Sequence, residues 1–268
     1  MMKRFLRVLG LLGITLIFFW TMLYFFQEKM IFHSTALPQD HKFAFDRPFE
    51  ELFMTAPDGA VLNGLHFRAD EPKGILLYSH GNAGELDSWG QWGVILAERY
   101  RYDVVIWDYR GYGKSTGERR QDKMLDDGLL FYDYCAAQFP ESNITVYGRS
   151  LGGFFATHMA RQRQPARMLL ESTPVSILEV AKETYPFLPV DWLLRFRFQN
   201  LENMAHIQVP TYIIHGTDDN LVPFAHGERL FRASAASAKE FFPVQNGNHN
   251  DLSSFEERYF GILKQLLK

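Results

Sequence analysis

The run Gly148, Arg149, Ser150, Leu151, Gly152 fits a GxSxG pattern, the spacing in which a serine hydroxyl is raised on a tight strand-to-helix turn. The apolar stretch Ile144 to Tyr147 comes immediately before it and a helix-like segment follows, so the context is that of a nucleophile. Small residues flank the serine because such a turn leaves no room for side chains. A serine hydroxyl is a weak nucleophile near neutral pH. It needs a base to accept its proton and an acid to hold that base in one tautomer. His249 lies in the polar loop 245–251, after the apolar run Phe241 to Val244, and is the base the sequence offers. The acid belongs between serine and histidine in chain order. Asp218 and Asp219 both follow the run Tyr212 to His215 and Gly216, and position alone favours neither.

Acyl transfer through such a serine also needs two N–H donors for the oxyanion, each worth on the order of 3 kcal/mol of barrier. Leu151 supplies one by following the nucleophile. The stretch His80, Gly81, Asn82, Ala83, Gly84 follows the apolar run Ile75 to Tyr78 and supplies the other through the Asn82 amide. His80 and His215 sit beside glycines at strand ends and read as loop-shaping residues. Cys135, the single cysteine, lies in an aromatic run and reads as a buried packing thiol. No phosphate-loop pattern and no zinc-spaced cluster of His, Cys and acidic residues occurs, so no cofactor or metal is implied.

The elements that must position these residues are legible as an alternation. Short apolar runs recur at 74–79, 103–107, 143–147, 168–171 and 212–215. Helix-length periodic segments lie near 85–100, 122–138, 151–163 and 222–233. That order implies an α/β fold, with a mostly parallel central sheet and helices on both faces. Segments 51–56 and 61–68 flank Pro57, Asp58, Gly59 and predict an antiparallel hairpin at the start of the sheet. Residues 174–208 are too many for a simple crossover and are rich in aromatics, including Phe187, Trp192 and Phe196, which predicts a lid-like insertion.

Ahead of all this, Val8 to Phe26 carries no charge, and nineteen helical residues cover about 28 Å of a roughly 30 Å hydrocarbon core. We read residues 1–28 as a transmembrane anchor, 29–50 as an extended surface connector and 51–268 as one catalytic domain. Lys3, Arg4 and Arg7 precede the span and only Lys29 follows closely, which predicts a cytoplasmic N-terminus and an extracytoplasmic catalytic domain. The net charge of −3 offers no basic field for nucleic acid.

With HGNAG at 80–84, DYRGYGKS at 108–115, GRSLGG at 148–153, HGTDDNLVP at 215–223 and NHND at 248–251, residues 45–268 resemble the α/β-hydrolase superfamily. Within it the chain is similar to the membrane-anchored, bud-emergence-type (Bem-like) branch, also described as serine aminopeptidase-like. The resemblance implies an α/β-hydrolase fold and puts the acid on Asp219, the fifth residue of HGTDDNLVP. It assigns DYRGYGKS to shaping the sheet and pocket rim. The histidine loop departs from the pattern, with Asn248 where a glycine is usual. The expectation is a serine hydrolase that cleaves esters or acyl thioesters of a small-molecule or lipid-like acyl donor. A peptidase using the same triad and a non-catalytic scaffold are the rival readings.

Overall fold

The computed structural model covers residues 1–268 and opens on a single long helix. Helix α1, Met2–Ile31, is about 45 Å long at roughly 1.5 Å per residue. Thr15 and Thr21 return their hydroxyls to the carbonyls of Leu11 and Ile17, so neither hydroxyl in the apolar stretch is left without an acceptor of its own helix. The most apolar part of α1 is not covered by the rest of the chain, and the helix is long and apolar enough to cross a membrane.

The helix does not stop at residue 28. It runs to Ile31 because Gln27 is tied across to residues far along the chain: its Nε2 donates to the Leu193 carbonyl at 3.0 Å, and its Oε1 accepts from the Arg195 amide at 2.7 Å. The segment after it is not a free surface connector either. His33–Ser34 pairs in parallel with Ala83–Gly84, and Ala36 bridges to Gly113. Phe32 and Phe43 are buried, and Phe45 and Phe49 lie against Phe67. Large rings gain more by covering apolar surface than by lying in water. These aromatics therefore fold residues 32–48 onto the domain, where composition alone read as linker.

Runs of β-branched and aromatic residues form one eight-stranded sheet. Its strands are β1 Phe49–Thr55, β2 Val61–Phe67, β3 Ile75–Ser79, β4 Asp103–Trp107, β5 Ile144–Arg149, β6 Arg167–Glu171, β7 Thr211–Gly216 and β8 Lys239–Val244. They lie in the order β1-β2-β4-β3-β5-β6-β7-β8. The β1–β2 hairpin and the β2–β4 pair are antiparallel and all other pairs are parallel. Strand β8 starts two residues before the expected apolar run because Lys239 and Glu240 pair with Thr211 and Tyr212 at the sheet edge, where polar side chains can stay wet.

The remaining helices are α2 Leu86–Tyr100, α3 Gln121–Ala136, α4 Gly152–Gln162, α5 Ile177–Thr184, α6 Val190–Leu193, α7 Leu201–Met204, α8 Phe224–Ala233 and α9 Glu256–Leu266. Two separate apolar cores result, one on each face of the sheet. Helices α3, α4 and α8 bury Phe131, Phe154, Phe155 and Leu230 on one side, together with Cys135. Helices α2 and α9 bury Val94, Leu96, Tyr259 and Leu263 on the other. Residues 174–208 carry the three short helices α5, α6 and α7 between β6 and β7. The chain leaves β3 toward one edge and returns at β5 on its other side. The carboxyl ends of β3 and β5 therefore frame the crevice that this topology leaves for a ligand.

Candidate active site

Strand β5 delivers Ser150 at that crevice and α4 begins two residues later. Ser150 has φ +51°, in the left-handed region that an L-residue enters only at a cost. The turn is held by an amide hydrogen bond from Ser150 to the Glu171 carbonyl at 2.8 Å. Its tightness explains two of the glycines. A Cβ on Gly148 would meet the Gly152 carbonyl oxygen at 2.4 Å, and one on Gly152 would meet the Ser79 carbonyl oxygen at 1.8 Å.

The loops after β7 and β8 bring the other two side chains to the serine. His249 Nε2 lies 3.1 Å from Ser150 Oγ, and His249 Nδ1 lies 2.8 Å from Asp219 Oδ2. Asp219 Oδ1 accepts from the amides of Leu221 and Val222 at 3.0 and 2.8 Å. Burial works against the charged form of Asp219, but hydrogen bonds from His215 and His249 outweigh it and hold the carboxyl well below the usual carboxylate range. An ionised carboxylate only accepts, so His249 Nδ1 carries the proton and Nε2 is left as the acceptor for the serine hydroxyl. Asp218 is exposed and accepts only from Thr217 Oγ1. Of the two aspartates, only Asp219 touches the histidine.

His215 does more than shape a loop. Its Nε2 faces two acceptors, the Val222 carbonyl at 2.9 Å and Asp219 Oδ2 at 3.3 Å, so it donates to the same carboxylate that holds His249. The Asn248 departure is also accommodated, because its Oδ1 accepts the His249 amide at 2.7 Å.

The Asn82 and Leu151 amides donate to no protein acceptor, as donors reserved for a ligand do. Both residues border a cavity with Ser150. The loop carrying Asn82 is fixed by the 108–115 segment. Tyr112 Oη donates to the Asn82 carbonyl at 2.8 Å, Tyr109 Oη donates to the His80 carbonyl at 2.6 Å, and Asp108 reaches His80 Nε2 at 3.2 Å. Arg110, almost wholly buried, is clamped between Asp127 and Asp58.

Arg149 is the residue that the sequence did not single out. Its Nε meets Glu171 at 3.1 Å, and one terminal nitrogen meets both the His249 carbonyl and Asn250 Oδ1 at 2.9 Å. It therefore ties the serine turn to the histidine loop. Glu171 is buried and also accepts from Tyr147 and Tyr259, so both of its oxygens have partners. The only signal for Arg149 was its place inside the GxSxG turn, where the pattern admits any residue.

Two cavities meet at Ser150. The more polar of the two, about 380 Å³, is bordered by Arg149, Glu171, His249 and Asn250 with Trp89, Trp92 and Tyr259. An apolar one of about 250 Å³ is bordered by Met30, Ile31, Leu151, Ile177 and Ala181. No group of His, Cys, Asp and Glu side chains has a metal-binding arrangement.

A profile described as serine aminopeptidase, S33, matches residues 70–189. An uncharacterized protein of Mycobacterium tuberculosis is 29% identical over 229 residues, covering 84% of this chain and 81% of its own. The lysophosphatidylserine lipase ABHD12 of Rattus norvegicus is 34% identical over 209 residues, covering 66% of this chain and 50% of its own, so the match spans about half the length of that relative. Among solved structures, the Pyrococcus furiosus esterase Pf2001 superposes with a TM-score of 0.70 at 19% identity, over 87% of this chain and 98% of that one. Est1E from Butyrivibrio proteoclasticus, with ferulic acid bound, gives 0.62 at 19% identity, over 81% and 100%.

Proposed function

Because the chain belongs to the α/β-hydrolase superfamily, we propose that it is a membrane-anchored serine hydrolase of carboxylic esters or acyl thioesters. The observation that carries this reading is the series of contacts from Ser150 Oγ through His249 to Asp219, on a nucleophile held at positive φ. Ser150 Oγ attacks the acyl carbonyl as His249 Nε2 takes its proton. Asp219 holds the opposite ring nitrogen and stabilises the imidazolium. The amides of Asn82 and Leu151 receive the oxyanion of the tetrahedral intermediate. As that intermediate collapses, His249 returns the proton to the leaving oxygen or sulfur, leaving an acyl-enzyme on Ser150. Water, deprotonated by the same histidine, then releases the acid.

The apolar chamber beside Ser150 and the exposed aromatics of the lid-like insertion support an apolar acyl group. The similarity to a lysophosphatidylserine lipase supports it too. The motif set supports the bud-emergence-type branch. A peptidase acting on free amino termini is disfavoured by the polar chamber itself: its carboxylate, Glu171, is already engaged by Arg149, Tyr147 and Tyr259, which leaves no anion for an ammonium group. In this reading helix α1 is the anchor, and the charge bias of Lys3, Arg4 and Arg7 supports a catalytic domain outside the cytoplasm.

A panel of acyl esters, acyl thioesters and aminoacyl amides, assayed on the full chain and on Ser150→Ala, tests the reading. Turnover of esters or thioesters that disappears in Ser150→Ala is expected. Turnover of aminoacyl amides alone, or activity that survives the substitution, refutes it. Full-length protein in the carbonate-washed membrane fraction is the matching result for the anchor.

A further inference from the structure

The end of α1 nearest the domain is part of the wall of the site. Its last turn presents Met30 and Ile31 to the apolar cavity that holds Ser150 and Leu151. The Ile31 carbonyl accepts from Asn82 Nδ2 at 2.5 Å, which joins the helix directly to the loop bearing the proposed oxyanion donor. On its other side the turn is fastened to the 174–208 insertion. Gln27 bonds to Leu193 and Arg195, Glu28 pairs with Arg195 at 2.7 Å, and Phe32 meets Phe196 edge to face at 5.0 Å.

Between α1 and the insertion runs a second apolar groove, bordered by Leu23, Leu188 and Leu193. It shares Met30, Ile31, Ala181 and Tyr185 with the cavity at Ser150, so the two lie side by side. Neither lining contains an Asp, Glu, Lys or Arg. The polar chamber on the other side of Ser150 has both Arg149 and Glu171. A substrate with one apolar and one polar end is therefore sorted by the desolvation cost of each half. Phe187 and Trp192, 98% and 88% exposed, stand on the same insertion without a protein partner. Aromatic side chains in that situation, next to a membrane-length apolar helix, favour the interfacial layer of a bilayer.

We infer that the last turn of α1 and helix α5 line an acyl-chain groove running from the bilayer surface to Ser150, so that the anchoring helix also selects a long acyl chain drawn from a membrane lipid. The inference rests on the serine hydrolase reading. It adds that α1 determines specificity, with the acyl chain lying against Met30 while the polar remainder of the lipid occupies the chamber of Arg149 and Asn250.

The test uses full-length protein in phosphatidylcholine vesicles with p-nitrophenyl esters of four and sixteen carbons. Met30→Trp fills the groove and is expected to lower the ratio of kcat/KM for the long over the short ester by about tenfold. An unaltered ratio overturns the groove, including the case in which both esters suffer equally. Met30→Cys gives a readout that does not depend on turnover, because Cys135, the only native cysteine, is fully buried. Prior reaction with a hexadecyl fluorophosphonate is expected to slow maleimide labelling of the new thiol about tenfold, while an ethyl fluorophosphonate leaves it fast. Equal labelling after the two reagents overturns the groove. A protein that hydrolyses neither ester and takes up neither phosphonate defeats the catalytic reading itself, whereas an active enzyme whose Met30 variants ignore chain length defeats the groove alone.

Discussion

The two flanks of Ser150 are built by different means. On the polar flank, each position is fixed several times over. Asp219 accepts four hydrogen-bonding groups from His249, His215, Leu221 and Val222, and Arg149 joins the serine turn to the histidine loop. On the apolar flank, α1 and the 174–208 insertion meet through Gln27, Glu28 and a few rings, and leave Phe187 and Trp192 uncovered. Bond-making chemistry tolerates little misplacement, on the order of an ångström for a hundredfold loss. Recognition of an apolar chain does not need such precision, since apolar contact is non-directional. On the proposed reading, chemistry belongs to the densely hydrogen-bonded strand ends and substrate choice to α1 and the insertion.

Substitutions should separate the flanks accordingly. Ser150→Ala is expected to lower kcat toward a short ester by about 10⁶-fold with little change in Tm, measured by steady-state assay beside thermal unfolding. Asp219→Asn is expected to lower kcat by about 10⁴-fold, because the amide no longer fixes the histidine tautomer. It also carries a pH signature. The folded-state pKa of Asp219 lies below its ordinary value of 3.8. Its ionised form therefore contributes stability at all pH values above that ordinary value, and the contribution is lost only as pH falls through the lower folded value. Acid unfolding followed by circular dichroism should show the unmodified protein outlasting Asp219→Asn, with the gap closing only in strong acid.

Arg149→Met sharpens the comparison from within the polar flank. It removes the tie between two loops without touching the three proposed catalytic side chains, and kcat is expected to fall about 10- to 100-fold. A loss as large as that of Asp219→Asn would give Arg149 a role beyond positioning. The smallest effect belongs to the apolar flank: Gln27→Ala removes two hydrogen bonds between α1 and the insertion and is expected to lower Tm by about 2–4 °C. A collapse of stability there would mean that α1 is as tightly integrated as the sheet edge.

The same contrast governs what the sequence disclosed. The sheet, the GxSxG turn and the order of serine, acid and histidine are written in local runs of strand, turn and helix, each with its own periodicity. The choice between Asp218 and Asp219 was not legible from spacing, because it depends on which carboxylate caps the Leu221 and Val222 amides and thereby turns toward His249. The seating of α1 was hidden for a stronger reason. Gln27 and Glu28 read as the polar end of a span, and their partners Leu193 and Arg195 lie more than 160 residues away. Residues 32–48 read as linker because their aromatics are too widely spaced for a periodic pattern, yet Phe32 and Phe43 are buried in the folded chain. Arg149 carries no mark beyond its place in the GxSxG turn, since its contacts come from loops that converge only in three dimensions.

The central claim is that one hydroxyl, activated through His249 and Asp219, carries the chemistry. Intact-mass and peptide mass spectrometry after treatment with a fluorophosphonate tests it most directly. A single adduct per chain is expected, located on the peptide containing Ser150, absent in Ser150→Ala and formed far more slowly in His249→Ala. An adduct on any other residue, or one that forms equally fast without His249, would contradict it.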